Sequence, residues 1–177
     1  YADPYPAEVK RTINIADVVL RFSGLLKSGK NIAVVGRLIS FRDQGKIIFG
    51  NISDASGVVQ FVFQKGETKE FDLLKGSVDV GDFLEIQGRV FKTKRGEKSV
   101  MASKSRIIAK SLRPLPTSWY GLEDTETKLR ERYLDLMLHK ETRNLFINKM
   151  AFWEVVREAL KKESFLEVET PVLESVP

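Results

Sequence analysis

Gly45-Lys-Ile-Ile-Phe49-Gly-Asn-Ile-Ser53-Asp-Ala-Ser-Gly57-Val-Val-Gln60-Phe-Val-Phe63 is the stretch that decides the fold. Two runs rich in Ile, Val and Phe flank Asp54–Gly57, a cluster of turn formers, which is the pattern of a β-hairpin. With Asp54–Gly57 as a four-residue turn, Ser53 faces Val58. Every other pair then follows, because strand side chains alternate with a period of two. Ile52 opposes Val59, Gly50 opposes Phe61 and Ile48 opposes Phe63, an apolar face that belongs in a core. The other face sets Asn51 against Gln60 and Phe49 against Val62. Phe49 and Gln60 become diagonal neighbours, close enough to touch one ligand group.

Working outward, Val/Ile/Phe-rich runs separated by Gly, Asp and Ser recur at 31–42, 46–53, 58–64, 82–93 and 97–109. Between the third and fourth, Phe71 and Leu74 within Glu67–Lys75 predict one short helix. Five strands with a helix between the third and fourth is the order of an OB-fold barrel. Gly36 and Gly88, inside strands, suit the sharp bends of a small barrel. Ahead of the strands, Ile15, Val18, Val19, Phe22, Leu25 and Leu26 have helical spacing, with Asn14 as N-cap and Gly29 as stop.

Arg113-Pro-Leu-Pro116 interrupts any helix or central strand and marks a boundary. Beyond it the pattern is helical over 124–138 and 142–162, followed by an extended Phe165–Leu173 whose packing partner is missing. The expected class is mostly β with helices. A helix and a five-stranded barrel fill 1–112, a linker spans 113–122, and the helical start of a second, α+β domain occupies 123–177.

The composition fits a soluble globular protein with 42% hydrophobic and 30% charged residues. No run approaches the roughly 20 apolar residues that span a bilayer. The 177 residues hold 29 Lys+Arg against 24 Asp+Glu, a net charge of +5. That excess favours a polyanionic partner, although ordinary surface lysines produce the same number. The absence of cysteine excludes disulfides and thiolate metal sites and is compatible with a reducing cytoplasm. The first residue is Tyr1, not Met, so the N-terminus is expected to be trimmed and carries no apolar signal core.

The outer face of the 45–63 hairpin carries the chemistry. An aromatic ring beside an amide is suited to an unstacked base, since the ring stacks and the amide bonds the base edge. The alternative is that Phe49 packs under another element. Arg37, Arg42, Lys46, Lys92, Lys94 and Arg95 lie on strand ends and loops where phosphates run. Glu97 among them either accepts from a base edge or forms a surface salt bridge worth little. On these residues alone, a generic single-stranded nucleic-acid module remains open.

Other signals are weak. Gly24-Leu-Leu-Lys-Ser-Gly29-Lys30 fits most of a P-loop, but Asn31 stands where Ser or Thr belongs and the run ends a helix. His139, the only histidine, makes no metal site by itself and is expected on the surface. Glu167 and Glu169 are expected on a solvated strand face.

Taken together, Gly45-Lys-Ile-Ile-Phe49, Gln60, Gly88-Arg-Val-Phe-Lys-Thr-Lys-Arg-Gly-Glu97 and Arg113-Pro-Leu-Pro116 resemble the class IIb aminoacyl-tRNA synthetases, those for Lys, Asp and Asn. Tyr120-Gly-Leu-Glu-Asp-Thr-Glu126 and Arg130-Glu-Arg-Tyr-Leu-Asp-Leu136 look like the lysine branch, with Leu129 replacing the more usual aromatic. Phe165-Leu-Glu-Val-Glu-Thr-Pro171 resembles motif 1 of class II. The resemblance covers nearly the whole chain in the correct order. It implies an anticodon-binding OB domain in which Phe49 stacks on a base, Gln60 reads the central uridine, Glu97 contacts a flanking uridine and Arg42 supports the loop of tRNA(Lys). It implies that Pro171 lies at a homodimer interface in a cytoplasmic enzyme. It also implies a parent that joins lysine to tRNA through an adenylate with ATP and Mg2+, using motifs 2 and 3. Those motifs are expected beyond Pro177, so the 177 residues are expected to bind RNA and to hold no catalytic residue, cofactor or metal.

Overall fold

The computed structural model describes residues 6–116, 122 and 124–171. The chain divides into two compact units between Leu115 and Pro116. In the first, β1 (Ile32–Asp43), β2 (Ile47–Ser53), β3 (Val58–Gln64), β4 (Phe83–Lys92) and β5 (Lys98–Ala109) close into a barrel in the order β1-β2-β3-β5-β4. All pairings are antiparallel except β3 with β5. Each strand end falls within one residue of the boundary read from the sequence.

The hairpin has the register that its turn dictates: Ser53 pairs with Val58, Ile52 with Val59, Gly50 with Phe61 and Ile48 with Phe63. Ile48, Ile52, Val59, Phe61 and Phe63 join Val34, Leu38, Leu84, Ile86, Val90 and Val100 in one buried core. Each such side chain contributes about 1.5–3 kcal/mol when fully buried. The Phe61 and Phe63 rings lie 4.7 Å apart. Gly50 makes room for the first of them, since a Cβ there would stand 2.4 Å from the Phe61 ring. A Cβ on Gly88 would reach 1.9 Å from the Met101 carbonyl oxygen, at the point where β4 slips register against β5. The barrel bends there because no side chain stands in the way.

The helix expected over 14–28 is two helices, α1 (Ile15–Leu20) and α2 (Phe22–Ser28), divided at Arg21. α1 packs on β3 and α2 on β4, so the division lets one apolar stripe follow the curved barrel wall. Gly29 ends α2 in the left-handed conformation, φ +60°. Asn14 occupies the N-cap position of α1 without a side-chain cap bond. The hairpin turn supplies the acceptors instead: the Ile15 amide donates to Asp54 Oδ2 at 3.1 Å and the Ala16 amide to Ser56 Oγ at 2.9 Å. The short helix after β3 is α3 (Phe71–Ser77), with Phe71 and Leu74 buried.

The second unit holds α4 (Thr125–Arg130), α5 (Arg132–Leu138) and α6 (Lys140–Lys162). Asp124 caps α4 by accepting from the Thr127 amide at 2.7 Å. His139 is half-buried instead of lying on the surface. The turn into α6 folds it back, with Nδ1 2.7 Å from Asp135 Oδ1. Asp135 also accepts from Arg132 at 2.7 Å and Thr142 at 3.3 Å. Met150, Trp153 and Leu160 of α6 are exposed, as are Phe165, Leu166 and Val168 of the extended segment. Glu167 pairs with Arg157 at 2.9 Å. No helix among the described residues is long and apolar enough to cross a membrane.

Candidate nucleic-acid interface

Asn51 pairs with Gln60, Gln60 with Ser99, and Ser99 with Phe91, so β2, β3, β5 and β4 contribute one row. The adjacent row is Phe49, Val62, Met101 and Arg89. Alternation turns both rows outward, because the intervening Ile48, Phe61, Val90 and Val100 point into the core.

A cleft of about 600 Å³ lies over these rows. Its apolar surface comes from Ile47, Phe49, Val62, Phe91 and Met101, and three amides, Gln44, Gln60 and Gln64, line it with donors and acceptors. Phe49 is half-exposed in the cleft, whereas Val62, on the same face, is only 2% exposed. Arg42, Lys94 and Arg95 supply positive charge, and Glu97 the one carboxylate of the lining. None of these four lies in an ion pair among the described residues. An unpaired cation beside aromatic rings and amides offers phosphate contact, stacking and edge recognition together.

The β4–β5 turn holds Lys94, Arg95 and Glu97 in place. The Thr93 amide donates to the Glu97 carbonyl at 3.0 Å, the Glu97 amide to Thr93 Oγ1 at 3.0 Å, and Gly96 takes φ +85°. Lys98 ties the start of β5 to the helices by donating to the Val19 carbonyl at 3.1 Å. Arg42, Phe49, Gln60 and Glu97 are therefore brought to one cleft from β1, β2, β3 and the β4–β5 turn.

Three of the basic residues expected there stand elsewhere. Arg37 lies 4.2 Å over the Phe83 ring and donates to the Gly81 carbonyl at 3.1 Å, and partial burial pulls its pKa below the usual arginine value. Lys46 and Lys92 do not line the cleft. Phe91, Gln44 and Gln64 do, and strand reading alone did not single them out. Phe91 was accessible to the same alternation, because Val90 beside it points inward.

Two family models match the chain. Residues 32–108 match the OB-fold nucleic acid binding domain and residues 124–177 match the tRNA synthetases class II (D, K and N). The second begins in the unit that follows the barrel, which a free-standing OB module does not require. In this order, the two regions make the chain similar to the class II tRNA synthetases.

Lysine–tRNA ligase 2 of Methanosarcina acetivorans is 38% identical over 177 residues, spanning 98% of this chain and 35% of the relative. Lysine–tRNA ligase of Roseiflexus castenholzii is 37% identical, spanning 98% and 36%. Lysine–tRNA ligase of Clostridium botulinum is 38% identical, spanning 98% and 34%. The chain thus spans about a third of the length of these relatives. The signature at Tyr120 and Gly121 lies outside the described residues, as does 172–177. Pro171 is described and exposed, at the end of the extended segment.

Proposed function

We propose that the cleft binds the anticodon loop of tRNA(Lys), as the recognition part of a lysine–tRNA ligase. In this reading Phe49 stacks on an anticodon base, Gln60 reads the central uridine, Glu97 contacts a flanking uridine and Arg42 supports the loop backbone. The division into 1–112, 113–122 and 123–177 separates that reader from the start of the catalytic domain, with Pro171 in a homodimer interface of a cytoplasmic enzyme. Activation of lysine with ATP and Mg2+ belongs to sequence outside the aligned third of the relatives. The observation that carries the reading is that Phe49 and Gln60 share one cleft with three cations that have no carboxylate partner among the described residues.

Titration of the chain with anticodon stem-loops tests it. Tight binding is expected for the lysine loop and weaker binding for loops with the central uridine replaced. Gln60→Ala narrows that difference. Phe49→Ala weakens binding by about 1–3 kcal/mol, the worth of one base–aromatic stack. Equal affinity for all loops points instead to a generic single-stranded nucleic-acid module.

A further inference from the structure

We propose that the Ser99 hydroxyl is a positioning group that turns the Gln60 carboxamide so that its oxygen faces the sheet and its NH2 pair faces the cleft, selecting a base that presents a carbonyl there. The proposal rests on the reading of the cleft as an RNA site. Ser99 is 0% exposed although it belongs to the outward row, sitting low between Gln60 on β3 and Phe91 on β4. Its Oγ lies 2.7 Å from Gln60 Oε1. A carbonyl oxygen only accepts, so the hydroxyl donates. The other acceptor in reach, the Glu97 carbonyl at 3.4 Å, is too distant to compete.

The consequence falls on the far end of the amide. Gln60 Nε2 has no hydrogen-bond partner among the described residues, and none of their buried side-chain nitrogen or oxygen atoms is without one. Gln60 is not itself exposed, so its unbonded Nε2 must open to solvent in the cleft. Two donors therefore wait where a ligand enters. A free glutamine has three rotatable bonds and loses that freedom on binding. Here one buried hydroxyl fixes the amide beforehand, so binding costs less and the wrong polarity of base edge meets two opposed donors. Uracil offers carbonyl oxygens; cytosine replaces one of them with an amino group.

The test needs three arms on the 177-residue chain. In the free protein, relaxation of the Gln60 side-chain amide reports its order directly. A rigid group, with an order parameter near 0.8, is expected, and a value below about 0.6 overturns the proposal. Ser99→Ala is expected to reduce the preference for a central uridine over a central cytidine by about threefold to tenfold, the worth of one hydrogen bond. The thermal midpoint should hardly move, Ser99→Thr should retain the preference, and Ser99→Ala should add nothing once Gln60→Ala is present. An unchanged preference in Ser99→Ala, with Gln60→Ala still losing it, overturns the role of Ser99 and leaves the proposed function standing. An unchanged preference in Gln60→Ala overturns the reading of the cleft itself.

Discussion

The carboxylate of Asp54, in the turn between β2 and β3, accepts a hydrogen bond at 3.1 Å from the main-chain amide of Ile15, the first residue of α1. The same carboxylate accepts from the Ser56 amide at 2.7 Å and the Gly57 amide at 3.0 Å. Burial raises its pKa, but the hydrogen bond from the Ser56 hydroxyl at 2.6 Å, together with these amides, outweighs that and holds it below the usual carboxylate range. One side chain thus caps a helix and shapes the turn that sets the register of Phe49 and Gln60. Asp54→Ala is expected to destabilise the chain by about 1–2 kcal/mol, the upper part of the range for a lost cap. Urea denaturation measures the loss, and Asp54→Asn should retain part of the stability.

Gly88 and Gly24 should respond oppositely to the same substitution. Gly88→Ala forces a Cβ against the Met101 backbone, which has no soft group to move, so a loss of at least about 2 kcal/mol or failure to fold is expected. Gly24 lies inside α2 with open space around it. There Gly24→Ala should stabilise by about 0.5–1 kcal/mol. Paired thermal melts decide both.

Acid should weaken the barrel through Glu85. This side chain is 2% exposed and pairs with Arg106 at 2.7 Å. Burial raises its pKa, but hydrogen bonds from the Lys10 amide, Arg106 and Gln87 outweigh it and the net shift is downward. A carboxyl with a folded pKa below its unfolded value of about 4.3 contributes its full stability above that value. It loses the contribution as pH falls through the lower, folded value. The thermal midpoint should therefore drop between about pH 5 and pH 3. Glu85→Gln should shrink that drop while lowering stability at neutral pH, where Arg106 loses its partner.

Salt should separate the cleft's cations from its aromatic rings. If Arg42, Lys94 and Arg95 each neutralise a phosphate, alanine at any one reduces the slope of log affinity against log salt by about 0.7. Phe49→Ala should weaken binding and leave the slope unchanged. Fluorescence titration over a range of salt concentrations tests this, and an unaltered slope in all three charge variants removes the phosphate contacts from the proposal.

Much of the barrel was legible because its information is local. The four-residue turn and the alternation from Ile47 to Phe63 set the hairpin register without knowledge of any other strand, and Phe49 and Gln60 fell on one face as a direct result. The helix boundary at Arg21 was not legible, because the spacing of Ile15, Val18, Phe22 and Leu25 continues smoothly across it. The bend answers to the curvature of β3 and β4 beneath. Arg37 was misplaced for a similar reason: its charge was visible, but the Phe83 ring that holds it is 46 residues away.

The sequence by itself determined the five strands, the core face of the β2–β3 hairpin and the diagonal placement of Phe49 beside Gln60, since these follow from residue type and a period of two. Only the tertiary structure decided what surrounds that pair. Closure of β3 against β5 in parallel sets Ser99 beside Gln60, and β4 then delivers Phe91 to the same row. Pairings between strands some 39 residues apart leave no trace in local periodicity, because they depend on how the whole barrel closes and not on any one segment.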